Sequence, residues 1–161
     1  MNIWVMRHGE ASFHAKTDNE RPLTEKGEQM AFEQGTKLGN VFNNQQVKLD
    51  KILVSPYLRA QQTLENVLKG IQAVSSVQSF ANIQETWDGI TPSGDPDVVM
   101  DYLHFLREEG AKNVLIISHL PLVFDLVYAL TKQNVNFYPS VIAEMKWQNV
   151  QGELVQIISY Q

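Results

Sequence analysis

Two histidines and two arginines follow short apolar runs in the sequence: Arg7, His8, Arg59 and His119. Each run has the length and the aliphatic character of a buried parallel strand. In an open α/β sheet, ligands bind beyond the carboxyl ends of the strands, so we expect these four side chains to meet in one crevice. The three runs cover residues 3–6, 52–54 and 114–117.

The types of these side chains indicate phosphoryl chemistry. The planar guanidinium of arginine presents several donors that suit phosphate oxygens. An imidazole can act as a nucleophile, an acid or a base near neutral pH. Gly9, directly after His8, allows a tight bend of the backbone and the close approach of a ligand. The pattern therefore predicts an anionic, phosphorylated substrate that is attacked by an imidazole.

The composition is typical of one globular domain. The chain has 161 residues, of which 43% are hydrophobic and 19% are charged, and we expect a single domain over residues 1–161. A net charge of −5 without a lysine or arginine run argues against nucleic-acid binding. Without cysteine, the chain has no thiol nucleophile and no cysteine-ligated metal. No stretch reaches membrane-spanning length and the first strand begins at residue 2, so we expect no membrane association, no signal peptide and a cytoplasmic location.

The order of the apolar runs and helical stripes predicts an α/β fold. We expect a mostly parallel sheet with helices on both faces and an antiparallel hairpin at the C-terminal edge. Capping residues predict three helix starts, at Thr24, at Ser55 with Pro56, and at Asp95 with Pro96. The first helix is expected to end near residue 42, and a surface turn is predicted over residues 40–46. The predicted strands cover residues 2–6, 51–54, 77–83, 114–117, 142–147 and 154–159.

Several motifs, in their order along the chain, resemble those of the histidine phosphatase superfamily, which also includes the phosphoglycerate mutases. The resemblance extends from the first strand to about residue 130, and the stretch 118–123 is most similar to the SixA-type phosphohistidine phosphatases. The order of the motifs is more specific than any one of them. The motifs are Arg7-His8-Gly9, Arg21-Pro22-Leu23-Thr24 with Gly27, Ser55-Pro56-x-x-Arg59-Ala60-x-x-Thr63, and Ser118-His119.

The resemblance implies a role for each residue of the predicted crevice. His8 is expected to be the nucleophile and to form a phosphohistidine intermediate, while its other ring nitrogen donates to a backbone carbonyl. Arg7, Arg59 and a cationic His119 are expected to bind the phosphoryl group and to stabilise its transition state. Arg21 is expected at the rim of the pocket. No metal and no cofactor are expected, because the arginines can supply the positive charge.

No motif identifies a general acid. Related mutases carry a carboxylic acid between the helix of the second arginine and the last histidine, and here that segment is short. Glu85 and Asp88 are candidates by position, and Asp18, in the loop after His8, is a third.

The predicted function is hydrolysis of phosphohistidine on a signalling or phosphotransfer protein. The short segment between Arg59 and His119 leaves little chain for a cap, and an open pocket admits a side chain that stands on a folded protein. Imidazole is a good leaving group, so strong acid assistance is less necessary. Two alternatives stay open: a small-molecule phosphomonoester phosphatase or mutase of the same superfamily, and a non-catalytic phosphohistidine-binding module. We expect a monomer.

Overall fold

The computed structural model describes residues 1–75 and 78–160 of the chain. Strands and helices alternate along most of this length, as predicted. The elements, in chain order, are β1 (Asn2–Arg7), α1 (Glu25–Gln45), β2 (Lys51–Val54), α2 (Leu58–Val74), β3 (Gln84–Thr86), α3 (Pro96–Glu108), β4 (Asn113–Ser118), α4 (Leu122–Thr131), β5 (Ile142–Lys146) and β6 (Glu153–Ile158).

One six-stranded sheet has the order β3-β2-β4-β1-β5-β6. The first four of these strands are parallel, and β5 and β6 pair antiparallel at the other end. This confirms the predicted mostly parallel sheet with a C-terminal hairpin. Strands β4 and β1 lie side by side at the centre of the sheet, with β2 on one side of the pair and β5 on the other.

The sheet is covered on both faces because the side chains of its strands alternate in direction. In β1, Ile3 and Val5 pack with α3 and α4, whereas Trp4 and Met6 pack with α1 and α2. All four residues are completely buried. Helices on both faces of the sheet therefore explain the continuous apolar run over residues 3–6 of this strand.

Two of the predicted helix starts are confirmed. Thr24 is the N-cap of α1, and its hydroxyl accepts a hydrogen bond from the amide of Gly27. Asp95 is the N-cap of α3 with Pro96 at the first helical position. The predicted turn over residues 40–46 is wrong for most of its length, because α1 continues to Gln45, whose side chain donates to Glu144 of β5.

The predicted helix cap at Ser55 is also wrong. Helix α2 begins at Leu58, and Tyr57 occupies the N-cap position without a side-chain hydrogen bond to the helix. The hydroxyl of Ser55 lies 2.7 Å from the imidazole of His119, a long-range contact that local spacing does not reveal.

The strand predicted over residues 77–83 lies later in the chain, at Gln84–Thr86, and residue 77 lies outside the described residues. Among the described residues, strand β3 lies at the sheet edge and pairs with β2. Its residues are exposed or half-buried, so they show no apolar pattern that would locate a strand. Over residues 1–75 and 78–160, no helix is long and apolar enough to cross a membrane.

Candidate active site

The parallel register brings three strand ends to one edge of the sheet. Arg7 of β1 pairs with Ser118 of β4, and Val54 of β2 pairs with Ile117 of β4. His8, the first residue after β1, therefore lies next to Ser118. Its backbone amide donates a hydrogen bond to the Ser118 carbonyl oxygen at 3.0 Å. The structure thus brings His8 and His119 together, with their ring centroids 5.0 Å apart.

A pocket of about 340 Å³ lies at this edge. It contains all four residues that the sequence predicts at the strand ends, together with Arg21. Its lining residues are Arg7, His8, Gly9, Glu10, Ala11, Phe13, Arg21, Arg59, His119, Leu120 and Pro139.

His8 is held in one orientation. Its Nδ1 lies 2.7 Å from the carbonyl oxygen of Gly9, so the hydrogen of the neutral ring is on Nδ1 and donates to that oxygen. Its Nε2 accepts a hydrogen bond from Nε of Arg59 at 3.3 Å. Burial, together with the charges of Arg59 and Arg7, lowers the pKa of His8 to about 4 in spite of the Gly9 contact. A neutral ring with a lone pair on Nε2 can act as a nucleophile.

Arg59 is buried at the start of α2 and directs its guanidinium at His8. Its Nη1 donates to the carbonyl oxygen of Asp18 at 2.6 Å, and its Nη2 lies 3.2 Å from the Asp18 carboxylate. Thr63, one turn further along α2, donates to the carbonyl of Arg59 and accepts from the amide of Gly9. The helix that carries Arg59 is therefore bonded directly to the loop that carries His8.

Arg7, at the end of β1, and Arg21, in the loop between β1 and α1, also line the pocket. The Arg7 guanidinium donates to the carbonyl of Phe137 at 2.9 Å, and burial followed by the charge of Arg59 lowers its pKa. Arg21 donates to the carbonyl of Ser12 at 2.9 Å and lies over the Phe13 ring, 4.1 Å from its centroid. Arg21 thus lies at the rim, while Arg7 lies deeper.

His119 is almost completely buried, and its Nε2 lies 2.7 Å from the hydroxyl oxygen of Ser55. Burial, His8 and Arg59 lower the pKa of His119 to about 3, against the opposing charge of Asp18. Burial and the positive neighbours thus favour the neutral ring, whereas a cationic His119 beside the phosphoryl group was expected from the sequence; the charge of His119 with phosphate bound stays a prediction.

The three candidate acids differ in their positions. Asp18 lies beside Arg59 and Arg21; burial works to raise its pKa, but the hydrogen bonds and charges of the arginines outweigh it and lower the pKa. Glu85 is paired with Lys51 at 2.9 Å and accepts a bond from Tyr102, and these contacts likewise outweigh burial and lower its pKa. Over the described parts of the chain, none of the three lines the pocket, although Asp18 contacts Arg59 and Arg21, which do.

Sequence reasoning missed two polar residues of the site. Glu10 lines the pocket, and its carboxylate accepts a hydrogen bond from Thr24 at 3.0 Å; its position directly after Gly9 was an available signal. Ser55 contacts His119, and only the spatial pairing of β2 with β4 reveals that contact. Within residues 1–75 and 78–160, no group of three or more histidine, aspartate or glutamate side chains could hold a metal ion.

Comparison with known proteins gives consistent results. Residues 3–97 match the family description "Histidine phosphatase superfamily (branch 1)". A phosphohistidine phosphatase SixA homolog of Haemophilus influenzae is 44% identical over 158 residues, which are 96% of this chain and 93% of that protein. A structure of the protein histidine phosphatase SixA complexed with tungstate superposes with a TM-score of 0.81 at 36% identity, covering 99% of this chain and 97% of that one.

The fold itself is shared more widely. A phosphoglycerate mutase from Bacillus anthracis superposes with a TM-score of 0.72 at 15% identity, covering 96% of this chain and 91% of that one. This likeness confirms the predicted phosphoglycerate mutase-like fold. The family match, the sequence identity and the assembled strand-end residues agree: the chain belongs to the histidine phosphatase superfamily.

Proposed function

We propose that the chain is a protein phosphohistidine phosphatase in which His8 is the nucleophile. The observation that carries this proposal is the neutral, oriented His8 ring in a pocket that Arg7, Arg59 and Arg21 line. The relatives whose names include phosphohistidine phosphatase support the substrate class.

The reaction has two displacements. The lone pair on Nε2 of His8 attacks the phosphorus atom of a phosphohistidine whose other ring nitrogen carries a hydrogen. The N–P bond of the substrate breaks, its electron pair stays on the substrate ring, and that ring leaves as neutral imidazole. Water then attacks the phosphorus atom of phosphorylated His8, and inorganic phosphate and neutral His8 result. Guanidinium groups that are already oriented stabilise the charge on the equatorial oxygens in both steps.

Arg59 and Arg7 would hold the phosphoryl oxygens. Arg59 already directs one donor at Nε2 of His8, so a phosphorus atom near Nε2 would be within reach of its other donors. Arg7 carries a buried Nε atom that has no partner in the described chain. Both arginines supply positive charge directly, so the chemistry requires no metal ion.

The weakness of acid catalysis in this pocket favours an N–P substrate. Asp18 is paired with two arginines, which favours its ionised form. Glu10 is engaged by Thr24. An alkoxide leaving group would need a proton from such a residue, whereas imidazole departs without strong acid assistance.

A direct comparison of substrates tests the proposal. The purified protein should hydrolyse phosphohistidine on a phosphotransfer protein with a much higher kcat/KM than any sugar phosphate. A sugar phosphate that proves the better substrate would replace the proposal with the small-molecule alternative. Binding of the phosphoprotein without turnover would support the non-catalytic module. The phosphotransfer partner, the monomeric state and the cytoplasmic location remain predictions.

A further inference from the structure

The hydroxyl of Ser55 lies at the end of β2 and is completely buried. It has two contacts among the described residues. The backbone amide of Tyr57 lies 3.3 Å from the hydroxyl oxygen, and Nε2 of His119 lies 2.7 Å from it. The first partner can only donate, while the second can donate or accept, depending on the tautomer of the ring.

Counting hydrogens assigns that tautomer. The amide of Tyr57 uses one lone pair of the Ser55 oxygen, and the hydroxyl hydrogen then needs an acceptor. Within residues 1–75 and 78–160, Nε2 of His119 is the acceptor within hydrogen-bond distance. A hydrogen on Nε2 would leave two buried groups of the described chain without partners, the hydroxyl hydrogen and the Nδ1 lone pair, whereas a hydrogen on Nδ1 leaves one, the Nδ1–H itself. Each buried unsatisfied group costs about 1–3 kcal/mol. The hydrogen of the neutral ring is therefore on Nδ1.

Nδ1 of His119 is the nitrogen that remains for a substrate. It is buried and has no hydrogen-bond partner in the described chain. His119 and His8 line the same pocket, with their ring centroids 5.0 Å apart. A phosphoryl oxygen bound beside His8 would satisfy the Nδ1 hydrogen.

We propose that Ser55 is a positioning residue: by donating to Nε2, it holds neutral His119 in the Nδ1–H tautomer, so that His119 donates a hydrogen bond to the phosphoryl group without first being protonated. This differs from a cationic His119, whose binding of phosphate would be lost as the ring deprotonates. The lowered pKa of His119, about 3, agrees with a donor that works as the neutral ring. The hydrogen bond from His119 to the phosphoryl group rests on the proposed phosphatase function, whereas the assignment of the tautomer does not.

Nuclear magnetic resonance of ¹⁵N-histidine-labelled protein measures the tautomer without any substrate. Two-bond ¹H–¹⁵N correlations should show His119 protonated on Nδ1 at pH 7 and still neutral at pH 5. Addition of inorganic phosphate should shift the Nδ1 resonance. An Nε2–H tautomer in the wild-type protein would overturn the inference, whether or not the protein hydrolyses phosphohistidine.

Ser118 provides a matched control. It is also a buried serine at a strand end, but its hydroxyl donates to the carbonyl of Ile90 at 2.7 Å and not to the imidazole. Ser55→Ala should change the His119 tautomer pattern and lower kcat by at least about tenfold with a smaller change in KM, as loss of a supporting hydrogen bond typically does. Ser118→Ala should keep the tautomer, and Ser55→Thr should preserve it because the hydroxyl is retained. Equal losses of kcat in the two alanine variants, with an unchanged His119 tautomer, would contradict the positioning role.

Discussion

Asp18 engages both terminal nitrogens of Arg59: its carbonyl oxygen lies 2.6 Å from Nη1 and its carboxylate 3.2 Å from Nη2. These are donors that Arg59 would offer to a phosphoryl group. The loop residue therefore competes with an anionic ligand for the same guanidinium.

Replacement of Asp18 by asparagine should strengthen phosphate binding and preserve turnover. The Asp18 carboxylate is exposed to solvent, so its charge contact is worth about 0.2–1 kcal/mol, and the inhibition constant of inorganic phosphate should fall by up to about fivefold. Activity on phosphohistidine protein should change far less than in His8→Ala. Glu85→Gln is the control, because the Glu85 carboxylate contacts Lys51 and Tyr102 rather than Arg59. A loss of activity in Asp18→Asn as complete as that in His8→Ala would identify Asp18 as an essential acid.

His8→Ala should be folded and inactive. The side chain lies past the end of β1 and contributes little to the core, but its loss removes the covalent route. A rapid quench of the wild-type enzyme should trap an acid-labile, alkali-stable phosphoryl group on His8, located by mass spectrometry. A phosphoryl group on Ser55 or Ser118 would refute the assignment.

The buried histidines should destabilise the protein in mild acid. In the unfolded chain both take up a proton near pH 6.5, whereas in the folded protein the pKa is about 4 for His8 and about 3 for His119. Unfolding therefore takes up protons as the pH falls below 6.5. The free energy of unfolding should drop by about 1.4 kcal/mol per pH unit for each histidine until its folded pKa is reached.

Urea unfolding at pH 7 and pH 5 measures this dependence. His119→Gln should make it less steep, because one of the two titrating rings is removed. Replacement of the exposed His14 by glutamine is the matched control. An identical slope in His119→Gln and the wild-type protein would show that His119 does not titrate in this way.

Activity should survive exhaustive chelation. The described residues form no cluster of three metal-ligating side chains, and the arginines of the pocket supply positive charge. Phosphohistidine hydrolysis should therefore be equal before and after treatment with EDTA. A loss that a divalent ion restores would contradict the metal-independent mechanism.

Gly27→Ala should lower both stability and activity. A Cβ atom at Gly27 would clash with the carbonyl oxygen of Glu10, so the backbone that follows His8 would have to move. Thermal unfolding and kcat/KM report the two effects. Gln29→Ala, on the exposed side of the same helix, should change neither. Unaltered kcat/KM in a folded Gly27→Ala protein would show that the backbone near Glu10 can shift without disturbing His8.

The sequence was sufficient to locate the central strands and their ends. Strands such as 51–54 are short, apolar at nearly every position and bounded by polar residues, so their boundaries are sharp. Because parallel strands place their carboxyl ends together, the meeting of His8, Arg59 and His119 followed from strand assignment alone. The roles of these residues came from the resemblance and still await experiment.

The side-chain contacts that orient His119 and engage Arg59 were not predictable from the sequence. The bond between Ser55 and His119 joins residues 64 positions apart, and local spacing suggested a helix cap instead. The pairing of Asp18 with Arg59 spans 41 positions and depends on the path of an exposed loop. Local patterns encode burial and helix ends, whereas such contacts depend on how distant elements pack.

His8, the proposed nucleophile, and Asp18 belong to parts of the fold that differ strongly in burial. His8 is bonded to the end of β4 and follows four completely buried residues of β1, whereas residues 13–20 of the loop are all exposed. In native-state hydrogen exchange, the amide of His8 should open only when the whole sheet unfolds, while the loop amides exchange through small fluctuations. Low concentrations of denaturant should therefore release Arg59 from Asp18 before they disturb His8, and the phosphatase activity should tolerate them without early loss.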